Sequence, residues 1–274
     1  MSDKHRLVAT HPVMGTMASL HLIGDPGNRA VFDAAAQQCW DDLDEVERVF
    51  SPFREDSDVR RLATGKITLS DADPRVRDMA ALCETARNDT GGLFDAWWEG
   101  WFNPTGYVKG WAVEEAANKY LLPILDLAGV EAVGLSVGGD MWLRTSPHSD
   151  WLWGVGIADP LHARQLVADL QVSNGAVATS GTAERGFHIL DPRTGQPART
   201  VVSASVVAAD LTTADLWATT AVVAGFDDLS WIAKAKTRSG LLIAPDGRTR
   251  RWQGPVEILV DTPAGPQPGL PDAR

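Results

Sequence analysis

The chain is short of cysteine, tyrosine and positive charge, and each shortage removes a class of protein. Two cysteines among 274 residues, Cys39 and Cys83, both in helix-like stretches, make neither a disulfide framework nor a thiolate metal cluster. Lys+Arg 25 against Asp+Glu 36 leaves a net charge of −11. That sign argues against general nucleic-acid binding, which needs Lys and Arg to neutralise phosphates, and against attachment to anionic lipid. No run of about 18 apolar residues occurs, so no membrane insertion is expected. The opening Met1-Ser2-Asp3-Lys4-His5-Arg6 is charged and lacks an apolar core, so no signal peptide is expected either, and a reduced, cytoplasmic setting is the simplest reading.

Tryptophan is plentiful instead: 11 Trp against 7 Phe and 2 Tyr, for which packing is the default explanation. A hydrophobic content of 44% is enough for a substantial core. With no internal repeat and no linker, the chain reads as a single domain over residues 1–260. The Pro/Gly-rich stretch at 261–274 reads as a loose tail.

Residues 5–10 and 17–23 suit a strand pair joined through Gly15. From Asn28 to Phe50 the apolar residues Phe32, Ala35, Cys39, Leu43, Val46 and Phe50 recur at helical steps, with acids between them. Pro74 suits the first turn of a helix reaching about Asn88, and a further helix is expected from Trp111 to Leu127, with Pro123 as its break. The texture then becomes that of strands: Val133–Val137, Met141–Arg144, Leu152–Ile157, Leu166–Val172, Ala176–Thr179, Phe187–Leu190 and Ser203–Ala208. Thr212–Val223 returns to helical spacing behind a threonine cap, and strands near 240–244 and 256–260 close the chain. This order implies an α+β fold, a largely antiparallel mixed sheet with flanking helices, with room for two lobes and a site between them.

Four stretches carry polar residues suited to chemistry. Paired glycines in Thr90-Gly91-Gly92-Leu93-Phe94-Asp95 allow close backbone approach, and Lys109, between a Gly-bearing turn and a helix start, can meet an anion; a helix cap and a solvated lysine are the plainer reading. Gly138-Gly139-Asp140, between strands, is by itself a tight hairpin. Among six histidines, His188 stands in a cluster of hydroxyls and an Arg, although a strand histidine is as often structural. Asp215 and Thr219, four apart on one helical face, present hard oxygen donors of the kind Mg²⁺ takes; the plainer role of Asp215 is a first-turn helix acid.

Taken in order, Met14-Gly15-Thr16, Phe50-Ser51-Pro52-Phe53, Gly92-Leu-Phe-Asp95, Lys109-Gly110-Trp-Ala-Val-Glu114, Gly138-Gly139-Asp140, Thr179-Ser180-Gly181, His188-Ile-Leu-Asp191-Pro192-Arg-Thr-Gly195 and Asp215-Leu-Trp-Ala-Thr219 resemble the ApbE family of FAD:protein FMN transferases, from about residue 8 to about 245. The resemblance implies an ApbE-like flavin transferase fold. It also implies an enzyme that binds FAD with Mg²⁺ and transfers the FMN moiety to a Thr or Ser hydroxyl of an acceptor protein, making a phosphoester and releasing AMP.

By the same resemblance Asp215, Thr219 and a backbone carbonyl at Gly106 are the metal ligands, and His188 is the general base. Met14, Phe53, Leu93, Phe94, Asp95, Asn103, Lys109, Glu114 and Ile189 fall where the family contacts FAD. Two positions depart from the family pattern. Phe53 stands where Tyr is common, and Asn103, in Asn103-Pro-Thr-Gly-Tyr-Val-Lys109-Gly110, replaces an acid. The alternatives are an FAD pyrophosphohydrolase giving FMN and AMP, and an FAD-binding protein without turnover. The nearest approach to an acceptor signature of the form Asp-x-x-(Thr/Ser)-x-Ala-Thr is Asp210-Leu-Thr-Thr213-Ala-Asp-Leu. It fails at its last two positions, so no covalent flavin is expected on this chain.

Overall fold

The computed structural model describes residues 5–182, 186 and 188–258; the expected tail at 261–274, and Glu184, Arg185 and Phe187 beside His188, lie outside them. The chain opens with β1 (His5–Val13) and β2 (Thr16–Gly24), then α1 (Arg29–Phe50), α2 (Asp58–Ala63), α3 (Pro74–Asp89) and α4 (Thr105–Tyr120). Next come β3 (Val130–Val137), β4 (Asp140–Thr145), β5 (Trp153–Ala158), β6 (Leu166–Val172), β7 (Gly175–Gly181), β8 (Leu190–Asp191), β9 (Gln196–Pro197) and β10 (Ser203–Ala208). Helix α5 (Leu211–Ala224) precedes β11 (Ser239–Ile243), β12 (Thr249–Gln253) and β13 (Val256–Ile258).

Nine of these strands form one sheet in the order β1-β2-β3-β4-β7-β10-β11-β12-β13. Every pairing in it is antiparallel, so the expected α+β architecture on a largely antiparallel sheet is met.

Strand alternation divides the sheet's side chains between two cores. Leu20, Leu22, Leu135, Trp142, Ala178, Val206 and Leu242 face the helices, packing with Phe32, Leu43 and Val46 of α1 and Val113 and Ala117 of α4. Ile23, Ala132, Leu143, Val177 and Leu241 face the other way, toward Trp153, Val155 and Ile157 of the β5–β6 hairpin. Each such side chain contributes about 1.5–3 kcal/mol on full burial. The helix expected from Asn28 to Phe50 is α1, with its six apolar residues all buried.

Most tryptophans serve this packing. Trp217 stacks on Trp231 at 5.4 Å between centroids, and Trp231 meets the edge of Trp252 at 5.1 Å. Trp97 packs on Phe102 and Trp111 on Phe50. Both cysteines are buried in helices, and burial pushes each thiol up to about 12, so neither is a reactive thiolate.

Four elements differ from expectation. Helix α4 begins at Thr105, before rather than after Gly106 and Gly110, and ends at Tyr120; a 3₁₀ turn at Leu122–Asp126 takes up Pro123. The strand expected over Phe187–Leu190 is reduced, in its described part, to Leu190–Asp191. Helix α2 buries only Val59, and β12 fully buries only Trp252, so neither leaves an apolar period to read.

His21, on β2, is held neutral. Its Nδ1 accepts from Arg6 Nε at 3.2 Å, its Nε2 lies 3.1 Å from Ser19 Oγ, and burial, helped by Arg6, pushes it from 6.5 down to about 4. A group depressed on folding takes up protons preferentially in the unfolded chain over that window, so stability falls as pH drops from about 6.5 toward 4. Partial exposure screens the effect to about 1 kcal/mol. Urea midpoints measured between pH 7 and 4.5 will fall less steeply in His21→Gln, and parallel slopes in the two proteins would refute the assignment.

Candidate active site

Five segments converge on the helical side of the sheet around a cavity of about 750 Å³. The turn after α1 brings Phe53. The segment between α3 and α4 brings Leu93, Phe94, Asp95, Trp98, Trp101 and Asn103. Helix α4 brings Gly106 and Lys109, and α5 brings Asp215 and Thr219. The excursion between β7 and β10 closes the ring with His188, Ile189 and Leu190. Of the residues that the resemblance assigns to the metal, the base or FAD, Met14 and Glu114 are not in this lining.

Met14 lines an adjoining groove that shares Pro52, Phe53, Thr105 and Lys109 with the main cavity. It sits with Gly15 in a two-residue turn where both have positive φ, 51° and 70°. Such a turn matches the twist of a hairpin but strains any residue with a side chain. Met14 N–H donates to Glu47 Oε2 at 2.7 Å, which ties the turn to α1.

Glu114 is buried away from the cavity and has a different job. Its Oε2 accepts the backbone N–H of Leu211 and, at 3.2 Å, that of Thr212, filling donors that the start of α5 leaves open. Burial raises its proton affinity while those two N–H groups oppose the rise. The N-cap proper is Asp210, whose Oδ1 accepts from Thr213 N–H at 2.7 Å, and not Thr212 or Thr213. Glu114→Ala will cost about 1–3 kcal/mol in urea denaturation, the scale of a buried donor left unpaired. A fall in FAD affinity with unchanged stability would instead restore it to the nucleotide site.

The polar floor is built by close packing of α4 on α5. A Cβ on Gly110 would stand 2.7 Å from Asp215 Cβ, so only glycine admits this approach. Gly110 N–H donates to Asp215 Oδ2 at 3.0 Å. The Gly106 carbonyl, one turn back on α4, also lines the cavity and, like any carbonyl, has two lone pairs, of which a helix bond uses one.

Asp215 Oδ1 lies 3.6 Å from Lys109 Nζ, which also contacts Asp140 Oδ2. Asp140 is fully buried at the end of the Gly138-Gly139 turn, and its Oδ1 accepts Thr179 N–H at 3.2 Å. Burial and the nearby Asp215 push Asp140 up to about 7 against the pull of Lys109. By itself Gly-Gly-Asp read as a hairpin, without a partner for Asp140; an acid opening a mostly buried strand was the available signal.

Thr219, one turn beyond Asp215, pairs with Ser180 Oγ at 2.9 Å. Asp215, Thr219 and the Gly106 carbonyl line the cavity together as hard oxygen donors, and two carboxyl groups share the Lys109 ammonium. Both properties fit a divalent cation of the Mg²⁺ type.

His188 stands at the cavity wall with Nδ1 3.0 Å from the Gly186 carbonyl. A carbonyl only accepts, so Nδ1 carries the hydrogen, which leaves the lone pair of this tautomer on Nε2, with no partner among the described residues. The Asp191-Pro192-Arg-Thr-Gly195 stretch that follows builds the support. Asp191 accepts Arg193 N–H at 2.9 Å, its carbonyl accepts from Thr194 and Gly195, and Gly195 adopts φ +68° to close the β8–β9 hairpin.

Aromatic faces form the remaining wall. Phe53 is 92% exposed, Trp98 and Trp101 line the same cavity, and Phe94 packs against Gly106 beside the polar floor. Asn103 Oδ1 accepts from Thr105 Oγ1 at 2.8 Å, and Asp95 Oδ1 accepts Trp97 N–H at 2.8 Å, so both help shape the turns around α4's start.

The ApbE family profile matches residues 14–103 and 102–242. An FAD:protein FMN transferase of Rhodobacter capsulatus is 35% identical over 150 residues, covering 52% of this chain and 28% of that protein. One from Treponema pallidum is 36% identical over 146 residues, covering 49% of this chain and 40% of its own. The matched stretch therefore spans less than half the length of these relatives.

Among solved structures, the ApbE protein of Thermotoga maritima superposes with a TM-score of 0.75 at 22% identity, over 90% of this chain and 97% of that one. The flavin transferase ApbE of Vibrio cholerae superposes at 0.69 and 20% identity, over 92% and 98%. These two likenesses concern the fold. Matched by the family profile across most of its length, this chain belongs to the ApbE family.

Proposed function

We propose that this chain catalyses Mg²⁺-dependent transfer of the FMN moiety of FAD to a Thr or Ser hydroxyl of an acceptor protein, releasing AMP. The observation that carries the reading is one cavity with three kinds of wall: hard oxygen donors on α4 and α5, an imidazole whose Nε2 has no partner among the described residues, and a set of aromatic faces. A flat isoalloxazine suits the aromatic side, where Phe53 supplies a stacking face without the hydroxyl of the commoner Tyr. Asp215, Thr219 and the Gly106 carbonyl hold the cation. When bound, Mg²⁺ offsets pyrophosphate charge and draws electron density from the phosphorus.

The chain's own groups do the rest. His188 Nε2 takes the proton of the attacking hydroxyl as its oxygen bonds to the FMN phosphorus and the bond to AMP breaks. Lys109, held between two carboxylates, adds local positive charge at the floor of an otherwise acidic protein. The net charge of −11 makes this concentration of cations a requirement for holding an anionic dinucleotide.

The test incubates the protein with FAD, Mg²⁺ and an acceptor bearing the Asp-x-x-(Thr/Ser)-x-Ala-Thr signature, then follows AMP and in-gel flavin fluorescence. Labelled acceptor with matching AMP is expected. AMP without label would reassign the chain to FAD hydrolysis, and no AMP would leave a binding protein. FAD will also quench part of the tryptophan emission, a part lost in Trp98→Phe; equal quenching in both would take Trp98 out of the flavin wall.

A further inference from the structure

The hydroxyl of Ser180, at the end of β7, lines the cavity and has no part in the chemistry described above. We propose that Ser180 is a positioning residue of the cation site: it accepts the hydroxyl hydrogen of Thr219 and so turns the Thr219 lone pairs toward the cation. This rests on the reading of Asp215 and Thr219 as metal donors.

A threonine hydroxyl has one hydrogen and two lone pairs. To serve a cation it presents a lone pair, and its hydrogen must then find an acceptor elsewhere. On a helix the usual acceptor is a carbonyl three or four residues back, which pulls the hydroxyl along the helix and away from any ligand. Among the described residues Thr219 makes no such bond; its partner is Ser180 Oγ at 2.9 Å, reached across from the sheet.

Ser180 is a firm acceptor because its strand is anchored on both sides. It pairs in register with Ala204 of β10, while neighbouring Thr179 bonds Ser205 Oγ at 2.8 Å and donates its N–H to Asp140. Having accepted from Thr219, Ser180 retains its own hydrogen, with no other side-chain partner among the described residues. A serine here therefore does a job that alanine cannot do and that threonine, with the same hydroxyl, can.

The experiment measures FAD affinity of the full chain by calorimetry across a Mg²⁺ series, with EDTA as the metal-free reference, in the unsubstituted protein, Ser180→Ala and Ser180→Thr. In Ser180→Ala the Mg²⁺ concentration that half-restores FAD affinity should rise about 10–100-fold, the usual cost of losing a group that orients a metal ligand. Affinity in EDTA should stay within about 2-fold, and Ser180→Thr should recover most of the Mg²⁺ response. An unchanged Mg²⁺ response in Ser180→Ala overturns the proposal, as does an equal loss in EDTA, which marks a structural role. If FAD affinity of the unsubstituted chain ignores Mg²⁺, the metal reading itself fails and the proposal with it; a Mg²⁺ response that Ser180→Ala leaves intact sinks the proposal alone.

Discussion

Asp215→Ala will lower Mg²⁺-dependent AMP release by about 10²–10³-fold, the scale on which one preorganised charge-stabilising group is felt. The carboxylate holds three things at once. Oδ2 takes Gly110 N–H at 3.0 Å, Oδ1 faces Lys109 at 3.6 Å, and the group forms part of the cavity floor. Alanine also strands the Gly110 N–H in a buried place, costing about 1–3 kcal/mol, so loss of activity alone would not separate chemistry from folding. Asp215→Asn does separate them. Its side-chain oxygen can still accept from Gly110, so the melting temperature should stay near that of the unsubstituted protein, while the missing charge should keep AMP release at the alanine level. Full turnover in Asp215→Asn would show that the cation is held elsewhere.

The second large effect is expected at His188. Removing it should slow flavin transfer by about 10²–10⁴-fold, the range typical of a lost general base, with FAD binding changed by no more than about 2-fold. Its Nδ1 is occupied by the Gly186 carbonyl, so the ring has one basic nitrogen to offer and a fixed orientation in which to offer it. The ring is exposed at the cavity wall, so its removal leaves no buried void. Added imidazole should restore part of the transfer rate in His188→Ala. A parallel fall in binding and rate, with no rescue, would make the residue a wall of the FAD site.

Regular periods were the most readable part of this chain. Strand β10 falls where alternation put it, at Ser203–Ala208, because turns bound it on both sides and its inward residues are apolar. Helix α1 carries its pattern through its full length. Where tertiary contacts overrode local preference, reading failed. Gly106 and Gly110 look like breaks in a helix, yet Gly110 is required inside α4 because Asp215 occupies the space a side chain would need. Glu114 was read toward the nucleotide because it follows Lys109 in the motif, but along a helix those five residues turn it to the α4–α5 seam, where it meets two bare N–H groups.

The candidate site was legible as a set of residues that line one cavity more than as a geometry. His188, Asp215, Thr219 and Lys109 could be named from the motifs. The partnership of Asp140 with Lys109 could not, since it joins a β-hairpin to a helix far apart in sequence. The tryptophans divided along similar lines. Trp217, Trp231 and Trp252 pack on one another in the interior, and Trp98 and Trp101 line the cavity from the segment between α3 and α4.

Gly181 and Ser203 face each other across β7 and β10, so the sheet is already zipped together at the point where the chain leaves it to carry His188. A plain short hairpin would close the same two strands. His188 thus rides on an insert behind which the sheet is already closed, although Ile189 and Val201 of that insert are buried in the main core. Substitutions confined to its exposed part, around His188, therefore leave the β7–β10 pairing and the contact of Gly110 with Asp215 in place.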